Sequence, residues 1–137
     1  MSALPAPALP RPRVLLVEDD RGLREALRDL LEDFGVEVLG EAANGQDGVR
    51  MVGELEPDVV LMDLRMPVMG GLEAAARIRD QRPDVQVVIL TAYDDPALKD
   101  GAARSGVYSY LVKGGPPREV TETTFEAWRA RHGGRDD

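Results

Sequence analysis

The feature that most constrains this chain is a series of short apolar runs, each ending in a charged or hydroxyl-bearing residue and separated by amphipathic stretches. Asp58-Val59-Val60-Leu61-Met62 runs into Asp63, and Val14-Leu15-Leu16-Val17 into Glu18-Asp19-Asp20. The stretch 85–90 runs into Thr91-Ala92, and 107–112 into Lys113. Unbroken apolar runs of this length are expected of strands covered on both faces. A shorter, alternating strand is expected over Val36 to Ala42. Between the strands, Leu23, Leu27, Leu30, Leu31 and Phe34 form one helical stripe, read as core, which Gly35 stops. Weaker stripes at Val49, Val52, Leu55 and at Leu72, Ala75, Ala76, Ile78 end before Pro57 and Pro83. Asp95-Pro96 opens a fourth helix to about Ser105, and a fifth is expected from Arg118 to about His132. Asp20 and Asp95 are expected to cap their helices. Five strand–helix units in series imply an α/β protein, a doubly wound parallel sheet with helices on both faces.

Composition narrows the chemistry. The 137 residues suit one domain, with a formal net charge of −8 that argues against direct contact with nucleic acid or an anionic membrane. There is no cysteine and a single histidine, His132, which excludes disulfide scaffolds, thiolate chemistry and His-based metal sites or triads. No apolar run reaches the ~18 residues of a membrane span, so a cytoplasmic protein is expected. Pro5, Pro7, Pro10 and Pro12 make residues 1–12 read as a disordered or extended tail. The domain is expected over 13–131, with 132–137 as a tail or the start of a linker.

In an open parallel sheet, ligands bind beyond the carboxyl ends of the strands. Glu18, Asp19, Asp63, Thr91 and Lys113 all terminate strands, so they are expected to share one rim. Three carboxylates brought together repel, and a bound Mg²⁺ or Mn²⁺ relieves that cost. Asp is a competent nucleophile towards phosphorus, while Lys and a hydroxyl suit phosphoryl oxygens. The set reads as a phosphoryl-transfer site with Asp63 as acceptor.

These motifs together resemble the response regulator receiver domain of bacterial two-component signalling. The carrying residues are Glu18-Asp19-Asp20, the segment from Pro57 through Asp63-Leu-Arg-Met-Pro67 to Gly71, Thr91-Ala92, and Tyr110-Leu-Val-Lys113. The resemblance implies a five-stranded flavodoxin-like (βα)5 receiver fold with strand order 2-1-3-4-5. It implies Mg²⁺ held by Glu18, Asp19, Asp63 and the backbone carbonyl of Arg65, with Glu18 acting through water. Asp63 would accept the phosphoryl group, Lys113 would pair with it and Thr91 would bond one of its oxygens. Tyr110 would follow Thr91 as a switch, altering the surface of the fourth helix, fifth strand and fifth helix. The implied partners are a histidine kinase or phosphotransfer protein, with a homodimer through that same surface as one arrangement. Arg65 and Tyr93 fall where the family tunes the lifetime of the phosphoryl group.

Some features depart from the family pattern. Gly114-Gly115-Pro116-Pro117 after Lys113 suggests a looser loop. Thr121, Thr123 and Thr124 are weak helix formers, and the apolar face of the last helix rests mainly on Val120, Phe125 and Trp128, so weak docking is expected. Little chain follows Lys113, so an output domain is expected to be absent or to lie in a longer protein. The main alternative is a metal-dependent phosphohydrolase with an Asp nucleophile. Such enzymes place a second catalytic Asp two residues after the first, and that position is Arg65. A flavin or dinucleotide module would need a Gly- or hydroxyl-rich loop where Glu18-Asp19-Asp20 stands. A receiver that binds partners without phosphorylation remains the third alternative.

Overall fold

The computed structural model describes residues 10–133, and within them strand and helix alternate from end to end. The elements are β1 (Arg13–Val17), α1 (Arg21–Asp33), β2 (Glu37–Ala42), α2 (Gly45–Leu55) and β3 (Val59–Met62), followed by α3 (Gly71–Gln81), β4 (Gln86–Thr91), α4 (Pro96–Arg104), β5 (Ser109–Val112) and α5 (Pro117–Gly133). Most of the proline-rich start, the residues after Gly133 and the His132 side chain lie outside the described residues.

All strand pairs are parallel, in the order β2-β1-β3-β4-β5. This is the expected doubly wound sheet, and its two faces can be read residue by residue. Leu15, Val17, Val60, Met62, Val87 and Ile89 pack with Val52 of α2 and Ala74, Ala75 and Ile78 of α3. Their neighbours Val14, Leu16, Val59, Leu61, Val88 and Leu90 pack on the other side with Leu27 and Leu31 of α1 and Val120 and Ala127 of α5. Side chains alternate across a strand, so an unbroken apolar run serves both layers at once. Asp20 and Asp95 cap as expected: Leu23 N donates to Asp20 Oδ1 at 3.1 Å, and Ala97 N to Asp95 Oδ1 at 2.8 Å.

Two packing expectations need correction. Phe34 is 55% exposed rather than core. Helix α1 ends at Asp33, Phe34 is its C-cap at φ −99°, and Gly35 at φ +85° turns the chain towards β2. The ring therefore leaves the buried stripe of Leu27 and Leu31. Helix α5 also docks firmly. Thr121, Thr123 and Thr124 are buried, as are Val120 and Ala127. Thr121 Oγ1 donates to Arg118 O at 2.9 Å and Thr124 Oγ1 to Val120 O at 2.7 Å, so these hydroxyls enter the interface with hydrogen bonds already made. Near the end of α5, Arg131 ties the helix to the opposite end of the sheet from the strand-end acids, through Asp58 at 2.6 Å and Asp84 at 2.6 Å.

Candidate functional site

Sheet topology places the acids. The strand order reverses between β1 and β3, which lie side by side with Val17 opposite Met62. The residues that follow each strand therefore leave together at a switch point, where a crevice opens. Asp63 N donates to Val17 O at 3.0 Å and Glu18 N to Ala42 O at 2.9 Å, which carries the sheet bonding into the two loops. On the other side, Lys113 N donates to Thr91 O at 2.7 Å.

Glu18, Asp19 and Asp63 each offer a carboxylate oxygen, and these atoms lie within 4.8 Å of one another. Glu18 and Asp63 are buried, while Asp19 is exposed. Lys113 reaches both buried acids, with Nζ 2.9 Å from Glu18 Oε1 and 3.2 Å from Asp63 Oδ2. Thus residues 18, 19, 63 and 113 meet at one place, as the strand-end reading requires. The remaining oxygens are held by main-chain donors. Asp20 N donates to Glu18 Oε2 at 3.0 Å, and Leu64 N to Asp63 Oδ1 at 2.7 Å.

Burial and charge act against each other here. Burial, aided by the charge of Asp63, pushes the Glu18 carboxyl above its ordinary value despite hydrogen bonds from Asp20 and Lys113. Burial alone would lower Lys113, but its bonds and charge attraction to Glu18 and Asp63 outweigh that and raise it. The ammonium therefore stays charged and neutralises only part of three converging carboxylates. An all-oxygen donor set with surplus negative charge fits a hard divalent cation.

The loop after β3 is tightly bound. Gly71 N donates to Leu64 O at 2.8 Å and Gly45 N to Met69 O at 3.0 Å. A Cβ at Gly71 would lie 2.2 Å from Asp63 O, so only glycine lets α3 start against the Asp63–Leu64 peptide. Thr91 is fully buried and its Oγ1 accepts from Tyr93 N at 3.3 Å. Tyr110 donates its hydroxyl hydrogen to Tyr93 O, and Lys99 Nζ lies 5.9 Å from the centre of its ring. Burial foremost, with the charges of Asp95 and Asp94, raises the Tyr110 phenol above its ordinary value. The Arg65 side chain turns outward over the Tyr93 ring.

One contact at the site had no sequence signal. Arg24 of α1 donates through Nη1 to the Glu18 carbonyl at 2.6 Å. Its spacing from Glu18 marks it only as a polar helical residue, since the partner is a main-chain oxygen.

A family model described as the response regulator receiver domain matches residues 14–124. The response regulator UvrY of Escherichia coli (strain K12) is 42% identical over 108 residues, covering 78% of this chain and 50% of UvrY. The chemotaxis protein CheY of Thermotoga maritima is 36% identical over 110 residues, covering 80% of this chain and 92% of CheY. The chain thus spans about half the length of UvrY and most of CheY. Among solved structures, a LuxR-family two-component response regulator from Aurantimonas sp. SI85-9A1 superposes with a TM-score of 0.85 at 32% identity. That match covers 89% of this chain and 88% of the other.

Proposed function

The chain belongs to the response regulator receiver family, and on that premise we propose that it is a phosphorylation switch with Asp63 as the acceptor. The observation that carries this reading is the meeting of Glu18, Asp19 and Asp63 within 4.8 Å, with Lys113 paired to the two buried acids. Asp19, Asp63, the Arg65 carbonyl and, through water, Glu18 would hold a Mg²⁺ or Mn²⁺ ion, which would supply charge neutralisation to the transferring phosphoryl group.

A carboxylate oxygen of Asp63 attacks the phosphorus of a phosphohistidine on a histidine kinase or phosphotransfer protein. The P–N bond breaks, an acyl phosphate forms and the imidazole leaves. Lys113 pairs with the phosphoryl oxygens, exchanging part of its contact with Asp63 for them. Thr91 turns its hydroxyl to the same group and gives up its bond from Tyr93 N. Tyr110 then repacks, so the charge gained at Asp63 is read on the α4–β5–α5 surface. That surface serves the output partner or a second copy of the chain.

The active unit is the domain over 13–131, working in the cytoplasm as a switch whose only chemistry is its own aspartyl phosphorylation and dephosphorylation. None of the described helices is long and apolar enough to cross a membrane. The net charge of −8 disfavours direct DNA contact by this domain. A phosphohydrolase role is not favoured, because Arg65 stands where a second catalytic acid is needed and its side chain packs on Tyr93.

The test is incubation with Mg²⁺ and acetyl phosphate, followed by intact-mass measurement. One phosphoryl group is expected on the wild-type chain and none on Asp63→Asn. Labelling that survives in D63N moves the acceptor elsewhere.

A further inference from the structure

We propose that Arg24 is a positioning residue for the cation site, holding the Glu18 main chain against β2 so that the converging acids face one ion. The inference rests on the reading of Glu18, Asp19 and Asp63 as a divalent-cation site.

The β1–α1 junction must hold acids whose charges drive them apart, and main-chain bonds around Glu18 supply the restraint. Its N–H is taken by Ala42 O at 2.9 Å. Its carbonyl accepts from Arg24 Nη1 at 2.6 Å. Arg24 is aimed in turn, because its Nε donates to Glu41 Oε1 on β2 at 2.9 Å. The other Glu41 oxygen accepts from Arg28 Nη1 at 2.6 Å, one helical turn further along α1. Two guanidinium groups on one face of α1 thus grip a single carboxylate on the neighbouring strand, and one of them extends to the acidic loop. Arg24 and Glu41 are largely shielded, with side chains 17% and 24% exposed, so solvent competes weakly for these bonds. The planar fork matters: one guanidinium serves a carbonyl and a carboxylate together, which an ammonium on a flexible stem holds poorly.

This role has an unusual sign. A cation next to a cation site repels the incoming ion, so removing Arg24 on electrostatic grounds alone would tighten binding. A positioning role demands the opposite, since partners that orient ligands typically contribute about 10- to 100-fold in metal affinity.

The experiment measures Mn²⁺ affinity of the unphosphorylated chain by counting free Mn²⁺ with electron paramagnetic resonance, with far-UV circular dichroism to confirm the fold. Arg24→Met, which keeps the length of the aliphatic stem and removes the guanidinium, is expected to weaken Mn²⁺ binding by about tenfold. Arg24→Lys is expected to fall between Met and wild type, recovering part of the affinity although it restores the repelling charge. Affinity in R24M equal to or tighter than wild type overturns the inference. Should R24M not fold, R24K binding as tightly as wild type overturns it instead. A wild-type chain that binds no Mn²⁺, or binds it independently of Asp63, overturns the site reading and this inference together.

Discussion

The guanidinium carbon of Arg65 lies 4.3 Å from the centroid of the Tyr93 ring, joining the loop after β3 to the loop after β4. Arg65 follows Asp63 by two residues and Tyr93 follows Thr91 by two, so the stack bridges the loops that follow Asp63 and Thr91. A cation–π contact at a partly exposed place contributes about 0.5–1 kcal/mol. If closing these loops limits the approach of water to the acyl phosphate, Tyr93→Ala should hasten its hydrolysis by about two- to fivefold, the rate equivalent of that energy. The decay of the phosphorylated mass after removal of acetyl phosphate measures it. A slower or unchanged decay would remove the stack from control of the lifetime.

Glu18 yields a prediction in which stability and function oppose each other. Its carboxyl lies above the ordinary value, because burial foremost and then the Asp63 charge outweigh the hydrogen bonds it accepts. A raised carboxyl contributes its full stability below the unfolded value of 4.5 and loses it as the pH rises through the folded value. At pH 7 the ionised group is therefore a net cost to the metal-free fold. Glu18→Gln should melt higher than wild type at pH 7 without Mg²⁺, with the advantage shrinking as the pH falls through the folded value and gone below 4.5. Lys113 keeps its contact with Asp63 in that variant. Saturating Mg²⁺ should reverse the order, since a ligand at a hundredfold its Kd stabilises by about 2.7 kcal/mol. Calorimetry with and without MgCl₂ decides, and equal melting temperatures in the metal-free state would contradict the argument.

The strand-end acids were legible in the sequence because each sits where an apolar run stops, and parallel topology then converts sequence distance into proximity. Val17 and Met62 had to be register partners for Glu18 and Asp63 to meet; alternation of strand and helix implies the parallel sheet, and the strand order that sets β1 beside β3 came from the resemblance to the receiver family. Phe34 misleads because helical periodicity says nothing about where the helix ends. The threonines of α5 mislead for another reason: propensity scores the isolated helix, whereas Thr121 and Thr124 bond within the helix and are buried. Arg24 and Arg131 were invisible. Their partners are a main-chain oxygen and carboxylates on remote elements, and no spacing rule links residue 131 to residues 58 and 84.

Arg131 fastens the C-terminal part of α5 to the loops before β3 and β4. Nη1 donates to Pro57 O at 3.0 Å and Asp58 Oδ1 at 2.6 Å, and Nη2 to Asp84 Oδ2 at 2.6 Å. The Asp58 side chain is only 7% exposed, so removing the guanidinium breaks a buried pair. Arg131→Ala should lose about 3 kcal/mol of stability in urea unfolding, the low end for one partner of such a pair. Burial alone would raise Asp84, yet the Arg131 bond and charge hold it below its ordinary value. Its contribution is present above the unfolded value of 3.8 and fades as the pH falls through the folded value, so the wild-type advantage over R131A should narrow in acid. Labelling by acetyl phosphate should be unchanged, because Asp58 lies at the opposite end of β3 from Asp63. A loss of labelling in folded R131A would show that the two ends of the strand are coupled.

Gly71 and Gly53 provide a paired test of whether the loop geometry after β3 sets the acceptor. A Cβ on Gly71 would lie 2.2 Å from Asp63 O and 3.0 Å from Leu64 Cα, both main-chain atoms that no rotamer change can clear. Either α3 shifts outward, disturbing buried Ala74 and Ala75, or the Asp63–Leu64 peptide moves and takes the acceptor carboxylate with it. Overpacking of this kind costs about 1–3 kcal/mol. A displacement near 1 Å at a reacting group costs about 100-fold in rate, so Gly71→Ala should slow acetyl phosphate labelling by at least about tenfold. Gly53 lies on the exposed face of α2, where an added Cβ meets nothing within 4 Å. Gly53→Ala should therefore stabilise the chain by about 0.5–1 kcal/mol through helix propensity alone and leave labelling at the wild-type rate. Equal labelling rates in folded G71A and G53A would mean that the acceptor tolerates a displaced loop, and that its reactivity is set by the strand end instead.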